Sequence, residues 1–347
     1  MRPARQLIGY LSAAVVIGVL GLPASRAEAA TQSLGAVALA SDEVTTPAPA
    51  DVGASATVDL RIDGASGDVC VRATFSGLSG PITMAHLHSG AVGVSGPVLI
   101  TLPSTDTGVN GCVKATPTDA QAILAAPGSF YFNAHTAASP GGAVRGQLTS
   151  SVFTAALTGA AEIPGPGAPS GSGTAVVAVD TTANRACVLF TLVGGEIPAA
   201  MAHIHSGTAA VGGPVVVPLT APATANSASC ALASPAILAA IVAAPVAHYA
   251  NVHTAGFPAG AIRGQLAVRS VSDVPTPSGA SPTTTSTPNN APSTTAAITS
   301  STIAGATTTV ALTSPATTSN VTTVALASTP PTPPVATPAV AEPNFTG

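Results

Sequence analysis

A chain of 347 residues is long enough for two domains of ordinary size plus tails. Only 7% of it is charged, the formal net charge is −4 and Lys114 is its one lysine, which excludes nucleic-acid binding, since that needs Lys/Arg density to neutralise phosphates. Three Tyr and no Trp provide few of the aromatic platforms that carbohydrate binding uses, while 34 Gly and 32 Pro imply many turns between short strands.

The first elements in chain order read as an export signal over residues 1–29. Arg2 and Arg5 form a positive start, Leu7–Leu22 is apolar, and Ala27-Glu28-Ala29 fits a small-x-small cleavage site. The apolar run is short of the roughly 20 residues of a spanning helix; an uncleaved membrane anchor is the alternative. Cleavage leaves seven basic and thirteen acidic residues, a net charge of −6, and no integral span. Next come "SATVDLRID", "CVRATFSGL" and "GPVLITL", each a period-two or short apolar run that predicts a strand. Thr116-Pro117 then opens "TDAQAILAAPG". A Thr N-cap with Pro at the first helical position predicts a short helix, and Pro127 its end. "FYFNAHT" and "AVRGQL" follow as closing strands.

The same series then recurs. "TAVVAVD", "CVLFTLVGG" and "GPVVVPL" predict strands, Ser234-Pro235 opens a second helix, and "HYANVHT" and "AIRGQL" close. Sliding the chain on itself by 117 or 118 residues sets Cys70 on Cys187, His86 on His203, His88 on His205, Cys112 on Cys230, Tyr131 on Tyr249, Asn133 on Asn251, His135 on His253, Arg145 on Arg263 and Gln147 on Gln265. Two copies of one domain are therefore expected, over residues 32–150 and 151–270. The expected fold is all-β: tandem antiparallel Greek-key sandwich or barrel domains, immunoglobulin-like or superoxide-dismutase-like, each with one short helix. Residues 271–347 are Thr, Ser, Pro and Ala with almost no charge, which predicts a disordered tail that offers hydroxyls for O-glycosylation.

Four cysteines in an exported protein suggest pairing. If each repeat folds alone, the pairs are Cys70–Cys112 and Cys187–Cys230, each stabilising its domain by roughly 4 kcal/mol. In a strand, residues i and i+2 share a face, so His86 and His88 project together, as do His203 and His205. With His135 or His253 from a distant strand, each set has the make-up of a three-His copper or zinc site. The alternative is structural: the rings pin the Gly-rich segments "SGAVGVSGP" and "SGTAAVGGP" through backbone groups. No carboxylate neighbours either motif in sequence to orient a ligand histidine. Arg145 and Arg263 either pair with an acidic residue of their own repeat or face an anion beside the histidines. His248 has no counterpart in the first copy and reads as incidental.

The segments "AHLHSG", "GPVLITL", "FYFNAHT" and "PGGAVRGQL", with their second set, resemble the CHRD (chordin) domain, and "FTAALTGAAEIPGPG" resembles that family's opening. The first copy departs there, with "SLGAVALASDEVTTPAP". The resemblance implies an extracellular module, found in a growth-factor binder and in many bacterial secreted proteins. The family is in turn remotely similar to Cu/Zn superoxide dismutase, which implies copper-ligand roles for His86, His88 and His135, and for His203, His205 and His253. It also implies anion attraction by Arg145 and Arg263. The bridging histidine and zinc ligands have no counterpart here.

The chain carries no G-x-S-x-G elbow, no phosphate loop and no H-E-x-x-H, and Glu162 and Glu196 form no evident acid/base pair. The sequence therefore favours a secreted or envelope-associated, non-enzymatic interaction protein without a cofactor, whose partner is an extracellular protein or envelope component. An extracellular copper- or zinc-binding protein with superoxide-type redox chemistry is the second reading.

Overall fold

The computed structural model describes residues 31–195 and 197–276. The expected export signal, Glu196 and the expected tail from residue 277 onward lie outside the described residues. The first repeat runs β1 (Gln32–Leu39), β2 (Ser55–Asp63), β3 (Asp68–Ser76), β4 (Ile82–Ser89), β5 (Val98–Thr101), β6 (Ser104–Thr105), β7 (Gly108–Lys114), α1 (Pro117–Ala125), β8 (Phe130–Thr136) and β9 (Val144–Gln147). The second runs β10 (Val152–Thr158), β11 (Ser172–Asp180), β12 (Arg185–Val193), β13 (Met201–Ser206), β14 (Val215–Leu219), β15 (Asn226–Leu232), α2 (Pro235–Ala243), β16 (His248–His253), β17 (Ile262–Gln265) and β18 (Ala267–Val268).

Each repeat builds its own antiparallel sheet. The order is β5-β4-β8-β9-β1-β2-β3-β7-β6 in the first and β14-β13-β16-β17-β10-β11-β12-β15 in the second, where β18 adds to β10. The strand after β3 leaves its neighbour to pair with β8, and β9 returns to β1, which are the long crossings of a Greek key. The two ends of each path, β5 and β6 or β14 and β15, are consecutive in the chain, so each sheet curls round towards a barrel. Alternation fills the inside with Leu34, Ala36 and Ala38, Val58, Leu60 and Ile62, Ala85 and Leu87, Phe132 and Ala134. Small inward side chains suit so narrow a barrel, which accounts for an apolar composition weighted to Ala and Val. The helices start where expected: Thr116 accepts from the Asp119 N–H at 3.1 Å and Ser234 from the Ile237 N–H at 3.3 Å. Each buries two residues, Ala120 and Ile123 or Leu238 and Ile241.

The disulfides Cys70–Cys112 and Cys187–Cys230 are both formed and lie across β3–β7 and β12–β15, each joining residues directly opposite in register. They sit on the outer faces, since Val69 and Val71, and Ala186 and Val188, point inward.

The two repeats also touch through those outer faces. Val37 and Leu39 of β1 pack with Val152, Val176, Ala178, Cys187 and Leu189 of the second repeat in a shared apolar cluster. Asp42 receives the Arg185 guanidinium at 2.8 Å over the Cys187–Cys230 bridge, and Arg269 grips Asp59 through two bonds of 2.7 and 2.8 Å. The stretch 271–276, expected to begin the tail, packs back on the first repeat: Arg61 donates to the Val271 carbonyl, Val274 is buried, and Thr276 meets Cys112. Among the described residues no helix is long and apolar enough to cross a membrane.

Arg269→Ala leaves the largely buried Asp59 without its two charge-assisted bonds. Equilibrium urea unfolding is expected to show a loss of about 2 kcal/mol; a loss below about 0.5 kcal/mol would mean that solvent already screens the pair.

Candidate functional site

The outer face of β4, β8 and β9 carries seven polar or titratable side chains that recur in the second copy. Ala85, Leu87, Phe132 and Ala134 turn inward, so His86, His88, Tyr131, Asn133, His135, Arg145 and Gln147 turn outward in ranks. The register sets His86 opposite Asn133 and Asn133 opposite Arg145; the next rank is His88, Tyr131 and Gln147. The second repeat repeats this as His203, Asn251 and Arg263, then His205, Tyr249 and Gln265. Outward here does not mean exposed. His86, Asn133, His135, Arg145 and Gln147 are all buried, because loops fold over this face.

The Gly-rich loop after β4 is fastened from below. Arg145 Nη2 donates to the carbonyls of Ala91 and Val94 at 2.7 and 2.8 Å, and its guanidinium lies 3.5 Å over the Tyr131 ring. Gln147 Nε2 donates to the Gly90 carbonyl, the Tyr131 hydroxyl accepts from the Gly96 N–H, and His88 Nδ1 meets the Gly96 carbonyl at 2.9 Å. His88 also stacks on Tyr131 at 4.8 Å. Gly96 is required at that point: a Cβ there would stand 1.6 Å from the Ser89 carbonyl oxygen, as one at Gly213 would stand 1.5 Å from that of Ser206. In the second copy Arg263 holds Thr208 and Val211, and His205 holds the Gly213 carbonyl at 2.8 Å. Loop pinning is thus a real role of His88 and His205, but it occupies only one ring nitrogen of each.

The other nitrogens converge. A carbonyl can only accept, so the Gly96 and Pro140 carbonyls place the Nδ1 protons of His88 and His135; the Nε2 of His135 then accepts from His86 Nδ1–H, and the Nε2 lone pair of His88 is left free. Among the described residues the buried Nε2 of His88 has no hydrogen-bond partner, nor has that of His205. His86 Nδ1 lies 3.1 Å from His135 Nε2, and His203 Nδ1 lies 3.3 Å from His253 Nε2. One ligand atom from each of His86, His88 and His135 lies within 4.8 Å of the others, as for His203, His205 and His253. Nitrogens bound at about 2.0–2.1 Å to one tetrahedral ion stand roughly 3.3 Å apart, so the residues fit a metal. Burial holds His86 down at about 4, helped by His135 and His88, and also lowers His88, His135, His203 and His205, which keeps these rings neutral and able to ligate at pH 7.

A carboxyl group does stand by the motif, brought from the chain segment after the first strand. Asn133 Nδ2 donates to Glu43 Oε1, and Asn251 Nδ2 to Glu162 Oε1 at 2.6 Å. Gly142 and Gly260 leave the room these carboxyl groups fill. Burial pushes Glu43 up to about 8 against the pull of Arg145, and Glu162 up to about 7 against that of Arg263.

A family model, the CHRD domain, matches residues 35–148 and again residues 153–266. The chain belongs to the CHRD domain family. No curated protein and no solved structure matches it, so the function of this CHRD protein has to be read from the site itself. Both matched stretches coincide with the two barrels, and every motif residue named above falls inside them. Glu43 and Glu162 are the residues the slide missed: they correspond at an offset of 119 rather than 117, and an acidic residue a few positions after the first strand of both copies was the available signal. His248 is not idle, since its Nδ1 meets the Ala244 carbonyl at the end of α2 at 3.0 Å.

The Glu43 shift predicts a pH dependence. Its folded pKa exceeds its unfolded one, so above about 4.5 the folded state holds more protons, and stability falls as pH rises to about 8. The lowered histidines act oppositely, their contribution being lost as pH falls below 6.5, so the carboxyl effect stands clear only above that pH. Thermal midpoints are expected to decline from pH 6.5 to 8 in the parent and to stay flat in Glu43→Gln/Glu162→Gln.

Proposed function

We propose that this tandem CHRD protein is an exported, non-catalytic metal-binding protein that holds one copper or zinc ion in each repeat. The observation that carries the reading is the pair of buried, unpartnered Nε2 atoms of His88 and His205, on rings that each share a ligand-atom cluster of 4.8 Å with two further imidazoles. A buried polar atom left without a partner is costly, and a cation shared by three lone pairs removes that cost. Loop pinning alone explains the Nδ1 atoms and leaves the Nε2 atoms unexplained. His86, His88 and His135 would hold the ion in the first repeat, and His203, His205 and His253 in the second, with one position open to a further ligand.

Arg145 and Arg263 support binding over superoxide-type turnover. Each is almost wholly buried, stacked on a tyrosine and holds two loop carbonyls through Nη2, although its Nη1 has no partner; burial shields it from anions in solvent. Two disulfides and the expected export signal support an oxidising, extracellular location.

An interaction role for the same module is the second reading. Val92, Val94 and Val98 of the first repeat, and Val211 and Val215 of the second, are exposed on or just after the pinned loops, a small apolar surface for an extracellular protein or envelope component.

Metal counting tests the reading. The full chain, loaded with Cu or Zn in separate samples and dialysed, is expected to retain about two equivalents. His86→Ala/His203→Ala, which leaves the loop bonds of His88 and His205 untouched, is expected to retain none with an unchanged circular-dichroism spectrum. An equal content in parent and variant would rule the three-His sites out.

A further inference from the structure

The sequence has three methionines, and apart from the initiator both stand two residues ahead of a His-x-His pair, Met84 before His86 and Met201 before His203. Strand alternation puts each on the same outward face as the histidines that follow it, since Ala85 and Ala202 between them point into the barrel cores. The register sharpens the placement: Met84 lies directly opposite His135, and Met201 directly opposite His253. Residues so paired have Cβ atoms about 4.5–5.5 Å apart. Each methionine therefore flanks two of the three imidazoles, one along its own strand and one across.

Packing does not account for them. Met84 is 47% and Met201 44% exposed, on a face whose other polar and aromatic side chains are largely covered. Several other donors near the site are engaged among the described residues, although Gln147 Oε1 and, in the second repeat, Asn251 Oδ1 keep no partner. The four cysteines are in disulfides, the Tyr131 hydroxyl takes the Gly96 N–H, and Glu43 accepts from Asn133. The thioether is the soft donor flanking the histidines, carried on an unbranched side chain with three rotatable bonds that can swing onto an ion.

Resting on the metal reading above, we propose that Met84 and Met201 supply the fourth ligand of their sites, and that this thioether makes both sites selective for Cu(I). Soft thioether sulfur favours Cu(I), whereas imidazole alone serves Zn(II) and Cu(II) as well. A three-nitrogen, one-sulfur set at the surface end of a buried histidine cluster is a site for capturing cuprous ion.

The test compares the full-length protein with Met84→Leu/Met201→Leu, a swap of similar volume at half-exposed positions that preserves folding. Cu(I) affinity is measured anaerobically by competition with bicinchoninate, and Zn(II) affinity by competition with a zinc-binding dye. Cu(I) binding is expected to weaken about tenfold or more while Zn(II) binding stays within about twofold, and copper X-ray absorption is expected to show a sulfur neighbour in the parent that the variant lacks. Unchanged Cu(I) affinity, or a parent spectrum with nitrogen neighbours only, would overturn the methionine ligand and leave the three-His site standing. A parent that binds neither ion would overturn the three-His site and the methionine role together.

Discussion

The stack of His88, Tyr131 and Arg145 is the interaction on which the rest of the site depends. A guanidinium buried this deeply calls for solvation by protein groups, and here a ring face and two loop carbonyls meet it while its buried Nη1 keeps no partner. The same ring orients His88, and its hydroxyl receives the loop's Gly96. Fixing the cation therefore fixes the loop, and fixing the loop decides which nitrogen of His88 is left for other use. The second copy reproduces the stack with Arg263 at 3.6 Å and His205 at 4.7 Å from Tyr249, so the arrangement follows from the residues common to both copies.

That arrangement inverts the usual division of a β-barrel. Inside, alternation leaves mostly Ala, Val and Leu, which close the barrel but specify little. Outside, under the loops, lies a second, polar layer with its own hydrogen-bond order, where the imidazoles are dry enough to stay neutral. Asn133 connects this layer to Glu43, and Glu43 reaches it only because Gly142 has no side chain. The imidazole cluster, the closed loop and the buried carboxyl group are therefore neighbours in one layer.

Much of this was legible in the sequence, because the duplication prints each feature twice. The His-x-His pairs, the third histidines, the cysteine pairing and the Thr116 and Ser234 caps are local patterns, and local patterns survive translation into structure. Glu43 was not legible, since two residues of length difference ahead of the second strand break its alignment with Glu162. Nor were the contacts between the copies. Asp42 and Arg185 are 143 positions apart and Asp59 and Arg269 are 210 apart, and nothing in either neighbourhood announces the other. The strand that carries the outward Val37 and Leu39 was not legible as one, since the first copy departs there from the opening of the second. Which imidazole nitrogen is free lies beyond any reading of letters, since it depends on the Gly96 and Pro140 carbonyls.

The shared apolar cluster also bears on how the chain can change over evolutionary time. A lone first repeat would present Val37 and Leu39 to water together with two aspartates whose arginines are gone; a lone second repeat would bare Val176, Leu189 and the flank of its own disulfide. A gene that lost either copy would encode a sticky, charge-frustrated remnant rather than a smaller working module. Each copy thus serves as the cover of the other's outer face.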